Sequence, residues 1–152
     1  MSKLLNLFGL FLFSLPLFAQ DVKVAGLSCG YRNNPIGIDF VSPELSWKLQ
    51  SSKRNVMQTA YQVLVASSLA NLNKNIGDFW DTKRVNSGQS IQIQYAGTKL
   101  ISAKTYYWKV RVWDNFGKES AWSETAFWQM GLLNAGDWKG AKWIAFEKLA
   151  DS

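Results

Sequence analysis

The sequence has no histidine and only one cysteine in 152 residues. Without imidazole there can be no Ser-His triad and no imidazole metal site. With Cys29 alone there is neither an internal disulfide nor a site built from several thiolates. Concentrated charge is missing as well. Charged residues make up 18% of the chain, and the 17 basic ones are scattered singly apart from Lys53-Arg54 and Lys83-Arg84, each in a predicted turn. A nucleic-acid partner would call for a basic stripe or a reading module. The net charge of +6, or +5 once Lys3 is lost (16 basic against 11 acidic), therefore reads as a solvated β-surface. No segment sustains a 3.6-residue period, no internal repeat is visible, and only the N-terminus carries a long apolar run.

That run is "MSKLLNLFGLFLFSLPLFAQ". Lys3 precedes an apolar stretch from Leu4 to Phe18, interrupted by Asn6, Gly9, Ser14 and Pro16, and small Ala19 is followed by polar Gln20. This is the pattern of a secretory signal peptide over residues 1–19, cleaved between Ala19 and Gln20. It predicts a secreted or periplasmic protein with no membrane attachment after cleavage. The alternative is an N-terminal anchor, for which the run is short against the ~20 apolar residues of a span. "AGLSC" is similar to the end of a lipid-attachment signal, but Gly26 stands where that signal wants Leu, and a polar segment separates Cys29 from the apolar run. Cys29 reads instead as a small buried residue near a strand end.

The rest of the chain alternates in the manner of strands. Val22 to Cys29 opens the series, and "GYRNNPIGIDFVSPE" is a loop. "LSWKL" then sets Leu45, Trp47 and Leu49 on one face. After the turn "QSSKRN", "TAYQVLVASS" does the same with Tyr61, Val63 and Val65, so the two segments read as a hairpin. The polar "LANLNKNIGDFWDTKRVNSGQ" is a connection with one short strand or turn around Phe79 to Thr82. "SIQIQYAG" opposes Ile91, Ile93 and Tyr95 to Gln92 and Gln94. In "TYYWKVRVWD" the charge-free face of Tyr106, Trp108, Val110 and Val112 is the core face, with Tyr107, Lys109, Arg111 and Trp113 opposite. "AWSETAFWQMG" is a last strand whose alternation leaves its inward face open, Trp122 and Trp128 on one side and Phe127 on the other. About seven strands with turns every ~8–12 residues predict an all-β, immunoglobulin-like or fibronectin type III β-sandwich over residues 20–131. Residues 132–152 read as a linker and the truncated start of a next β-domain, opened by the apolar "AKWIAF".

Leu100, then Tyr106 with Trp108, Val110 and Val112 on its face, resembles the tyrosine-corner segment of fibronectin type III domains, where the Tyr hydroxyl ties the corner to nearby backbone. "ELSWKL" matches the position of that fold's early core Trp. A narrower resemblance is carried by "LSCGYRNNPIGIDFVSPELSWKL", "RNVMQTAYQVLVASS", "DFWDTKRVNSGQSIQIQYAG", "TYYWKVRVWDNFGKESAWSE" and "FWQMGLL" followed by "DWKGAKWI". In this order they resemble the N-terminal, non-catalytic domain of bacterial α-L-rhamnosidases. The resemblance implies neighbouring β-domains and a catalytic barrel as partners within a parent enzyme, and no cofactor. It also implies that the catalytic glutamates lie in that barrel, downstream of anything present here.

The residues of this chain offer no catalytic pair of their own. Inverting glycoside hydrolysis uses two carboxylates ~6.5–9.5 Å apart, whereas most Asp and Glu here adjoin turn residues. Asp78 and Asp81 flank Phe79-Trp80 and read as turn residues too. Aromatic rings are the other candidates. Tyr107 and Trp113, on the charged face of their strand, and Trp80 in its loop could stack on a rhamnose-containing glycan, pack on another domain, or lie under Lys and Arg stems.

Overall fold

In the computed structural model, which describes residues 22–142, the β-branched and aromatic run at 105–114 forms the central strand of the larger sheet. The signal segment and all but the first two residues of "AKWIAF" lie outside the described residues. Among the described residues, eight strands occur in the order β1 (Lys23–Cys29), β2 (Glu44–Gln50), β3 (Gln58–Ala66), β4 (Trp80–Asp81), β5 (Val85–Asn86), β6 (Ile93–Gln94), β7 (Thr105–Asp114) and β8 (Ala126–Gln129). One sheet has the order β1-β2-β6. The other is β4-β3-β7-β8, with β5 also paired to β3. All the strand pairs are antiparallel. Two antiparallel sheets face to face are the immunoglobulin-like sandwich that the alternation predicts.

The core lies between the sheets. Tyr106, Trp108, Val110 and Val112 of β7 are 0% exposed, and β3 sets Tyr61, Val63 and Val65 beside them in register with Val112, Val110 and Trp108. From the smaller sheet, Val24, Cys29, Leu45 and Trp47 close the other side. The Trp47 and Tyr61 rings meet edge-on across the gap, centroids 5.2 Å apart. Trp47 Nε1 donates to Gln58 Oε1 at 2.9 Å, and the amide nitrogen of buried Gln58 donates to the carbonyls of Ser87 and Gln89. One glutamine thus satisfies a buried indole and pins the loop before β6. At the corner before β7, Leu100 is buried and the Ile101 N–H donates to the Tyr106 hydroxyl at 2.9 Å.

Four features differ from the alternation. β2 and β3 are not a hairpin but belong to different sheets. β3 is occupied by β7 on one edge and by β4 and β5 on the other, so β2 has no edge to join, and the chain between them crosses the sandwich. That crossing is held by Met57 and Asn115, whose backbone and side-chain groups bond reciprocally. A five-residue helix, α1 (Leu69–Asn73), capped by the Ser68 hydroxyl, stands in the Asn-rich connection. It is too short to show a period, and only Leu72 is buried. Gln92 takes a left-handed φ of 55°, which breaks the "SIQIQ" alternation and turns Ile91 outward at 61% exposure while Ile93 and Tyr95 remain buried. Finally, residues 121–125 are not strand, so Trp122 and Trp128 do not share a face. Trp128 enters the core with Ala126 and Met130, and Trp122 packs on the outside of the sheet.

Tyr106→Phe removes the acceptor for the Ile101 N–H, and a loss of about 1–2 kcal/mol in urea unfolding is expected; an unchanged midpoint would mean that the corner bond contributes nothing. The core also makes the fold alkali-sensitive. Burial pushes the Cys29 thiol from 9.0 up to about 12 and raises the Tyr61, Tyr95 and Tyr106 hydroxyls above 10.0. These groups ionise earlier in the unfolded chain than in the fold, so stability present below pH 9 is lost as pH rises beyond it. Lys109, lowered by burial, works in the opposite direction as one group against four. The urea midpoint should fall from pH 9 to pH 11, and Cys29→Ala should flatten the start of that fall; a midpoint constant over this range would contradict the assignment.

Candidate functional site

The outer face of the larger sheet carries the residues that alternation sets opposite the core. Trp113 does lie there, yet it is only 7% exposed. The Arg84 and Arg111 guanidinium carbons sit 4.9 and 5.1 Å from its ring centroid. Arg111 also lies 4.6 Å from the Trp122 ring, which has the Lys109 ammonium 5.1 Å from its centre. The result is a ladder of alternating rings and cations, each contact contributing on the order of 0.5–1 kcal/mol. Arg111 is further held by Gln62 Oε1 and by Glu119. Cation stems and heads therefore cover Trp113, leaving little ring for a sugar.

Next on the same face, Lys109 is 8% exposed. Its ammonium donates to the Leu72 carbonyl and to Asn75 Oδ1, both at 2.7 Å, and burial lowers its pKa. Charge-assisted bonds from a buried ammonium thus tie α1 and the turn after it to the sheet. Leu64, Ala66 and Leu72 form a small second core there, with Tyr107 and Trp122 packed against it. Tyr107 is half-buried, its ring centroid 6.4 Å from that of Phe127. Of the three rings singled out in the sequence, Tyr107 and Trp113 share this face, and Trp80 is elsewhere.

Trp80, in β4, belongs to the open flank of the sandwich. It packs at 5.3 Å and 70° on Tyr95, whose hydroxyl donates to the Thr98 carbonyl at 2.6 Å. The chain passes so close to it that a Cβ on Gly97 would stand 2.6 Å from the Trp80 Cβ and 2.3 Å from the Phe79 carbonyl oxygen. Beside Trp80 a groove of about 490 Å³ separates β4 and β5 from β6, lined by Tyr61, Trp80, Val85 and Ile93 with Gln89 and Gln94 among the polar residues at its margin. The sequence pattern set Tyr61 on a core face and Gln94 on an exposed one, and marked neither as a site residue. The signal for Gln94 was present in the alternating "SIQIQ", but which strands would flank it depended on the sheet pairing.

Asp78 and Asp81 do not make an acid–base pair. For Asp78, burial acts to raise the pKa, but hydrogen bonds from the Ser67 hydroxyl and N–H outweigh it and the carboxyl is lowered. Asp81 is likewise lowered: burial opposes, and Lys83 and Gln62 prevail through bonds of 2.6–2.8 Å. Both are anions locked to their own chain, whereas a general acid needs a raised pKa. Among the described residues no group of three or more His, Cys, Asp or Glu converges in a way that could hold a metal ion.

Two substitutions test this geometry. Lys109→Met keeps the stem but strands the Leu72 carbonyl, with an expected loss of about 1–3 kcal/mol and early proteolytic nicking near α1; a variant as stable as the parent chain would show that the tie is dispensable. Gly97→Ala should cost about 1–3 kcal/mol or more and alter the Trp80 environment, detectable as a shifted indole resonance; a neutral result would mean that the backbone has room to move.

Comparison with known proteins agrees with the fold. Residues 24–134 match the family model described as Rha78A-like, N-terminal immunoglobulin domain. An α-L-rhamnosidase of Formosa agariphila is 44% identical over 113 residues, which is 74% of this chain and 12% of the relative. An α-L-rhamnosidase of Streptomyces avermitilis is 42% identical over 124 residues, 82% of this chain and again 12% of the relative. The crystal structure of the S. avermitilis enzyme complexed with L-rhamnose superposes with a TM-score of 0.76 over 82% of this chain and 12% of that one. The chain therefore spans about 12% of the length of the curated relatives it matches, and those relatives are larger rhamnosidases in which this domain is one part. A sandwich with this corner, this core and this order of phrases belongs to the family of Rha78A-like N-terminal immunoglobulin domains of α-L-rhamnosidases.

Proposed function

We propose that the chain serves as the accessory N-terminal structural module of a longer, exported α-L-rhamnosidase, an enzyme releasing terminal L-rhamnose, and that the catalytic carboxylates belong to other parts of that protein. The observation that carries this reading is the combination of a complete sandwich with a match to only 12% of each rhamnosidase. The locked, lowered Asp78 and Asp81 support it. Its mechanism is burial of apolar surface against neighbouring domains. Gly131 bonds to Ile38 and Ala103 where β8 ends, and Ile36, Ile101 and Leu132, each within two residues of this junction, are exposed. Exposed apolar side chains at such a junction suit burial against a neighbouring domain.

Three outcomes are expected. The chain alone releases no nitrophenol from p-nitrophenyl α-L-rhamnopyranoside; steady release would refute the accessory role. In the parent-length enzyme, Ile101→Asp with Leu132→Asp lowers the unfolding temperature by ~2–5 °C while leaving the isolated chain unaffected; equal behaviour in both would remove this surface from the account. Export adds a third readout, a peptide beginning at Gln20 outside the cytoplasm, and finding Met1 retained there would rule out cleavage.

A further inference from the structure

The groove on the open flank has a composition that suits one kind of ligand. Its lining contains no charged side chain, which removes the attraction a phosphate, carboxylate or ammonium would need. Tyr61, Trp80 and Val85 offer aromatic and apolar surface, and Gln89 and Gln94 stand at the margin. A primary amide donates and accepts at once, matching the dual character of a hydroxyl group. At about 490 Å³ the groove is within the ~300–1,000 Å³ of small-molecule sites.

Tyr61 adds an independent indication. It is 8% exposed and lines the groove, yet its hydroxyl makes no hydrogen bond among the described residues, while its ring is held edge-on against Trp47. The hydroxyl is not among the buried unpartnered atoms of the described residues, so it opens onto the groove, where a ligand hydroxyl can replace the water that solvates it. Gln94 is exposed and makes no side-chain hydrogen bond among the described residues. Gln89 is preset, its carbonyl receiving the Gln58 amide and its own amide donating to the Ile91 carbonyl, which leaves its side-chain oxygen available. An extended peptide is a poorer occupant, because β5 and β6 are two residues each and offer little edge for an added strand.

We infer that this groove, and not the cation-covered outer face, is a binding site for a neutral saccharide, a pyranose laying an apolar face on Trp80 and sharing hydroxyl bonds with Tyr61, Gln89 and Gln94. The inference concerns the chain by itself and stands whether or not the parent enzyme is a rhamnosidase.

The test titrates the protein with L-rhamnose, with neutral cello- and xylo-oligosaccharides, and with polygalacturonate as a charged control, following amide and indole N–H resonances. Saturable shifts centred on Trp80, Gln89 and Gln94, in the roughly millimolar range, are expected with at least one neutral sugar and not with the polyanion. Tyr61→Phe and Gln94→Ala should each weaken that binding about 2–10-fold at an unchanged urea midpoint, while Tyr107→Ala leaves it intact. Trp80→Ala should abolish it; because Trp80 packs on Tyr95, the two milder variants carry the decision if that protein does not fold. No saturable shift with any neutral sugar, shifts mapping to Tyr107 and Phe127, or full affinity in both mild variants would overturn the inference. So would disappearance of the shifts in the parent-length protein, which would assign the groove to a neighbouring domain.

Discussion

The longer strands of this domain pack around one row of side chains, the inward face of β7. Tyr106, Trp108, Val110 and Val112 are completely shut off from solvent, and large aromatic groups of this kind contribute more buried area per residue than any other side chains. β3 lies beside them in register, β8 brings Trp128 against Tyr106 at 5.7 Å, and β2 closes the layer with Trp47. With no disulfide available from a lone cysteine, burial and hydrogen bonding must hold the two sheets together. Gln58 and the Tyr106 hydroxyl then satisfy polar groups that this packing would otherwise strand.

How much of this could be read from residues follows from range. The faces of β2, β3 and β7 were legible because period-2 alternation is local, and so was the corner, since Leu100 and Tyr106 are six positions apart. Pairing was not legible: whether β2 and β3 form a hairpin or cross between sheets depends on which edges other strands have already taken. The left-handed Gln92 hid Ile91's exposure behind an unbroken pattern, and α1 was too short to announce itself. For the candidate rings, the side of the sheet was legible but the covering was not. Arg84 is 29 positions from Trp113, and nothing local says that its guanidinium stacks there.

The two faces of the larger sheet thus do different work. Inside, uncharged rings build the sandwich; outside, Arg84, Arg111 and Lys109 interleave with Trp113 and Trp122 and fasten α1 down. The flank left open by the short strands β4, β5 and β6 is where ring and amide groups remain available. A domain of this design holds its shape through its own core and presents surface to its surroundings, as the proposed module of a larger hydrolase requires.

If the chain is one part of a longer rhamnosidase, as proposed, its native polypeptide is far larger than 152 residues. The most direct measurement is the intact mass of the native polypeptide, located through the tryptic peptide of residues 55–74 that contains Tyr61. Since 113 matched residues are 12% of the F. agariphila relative, that protein has about 940 residues. A native mass on the order of six times the 17.2 kDa of this chain is accordingly expected. A native mass equal to residues 20–152 alone would contradict the proposal.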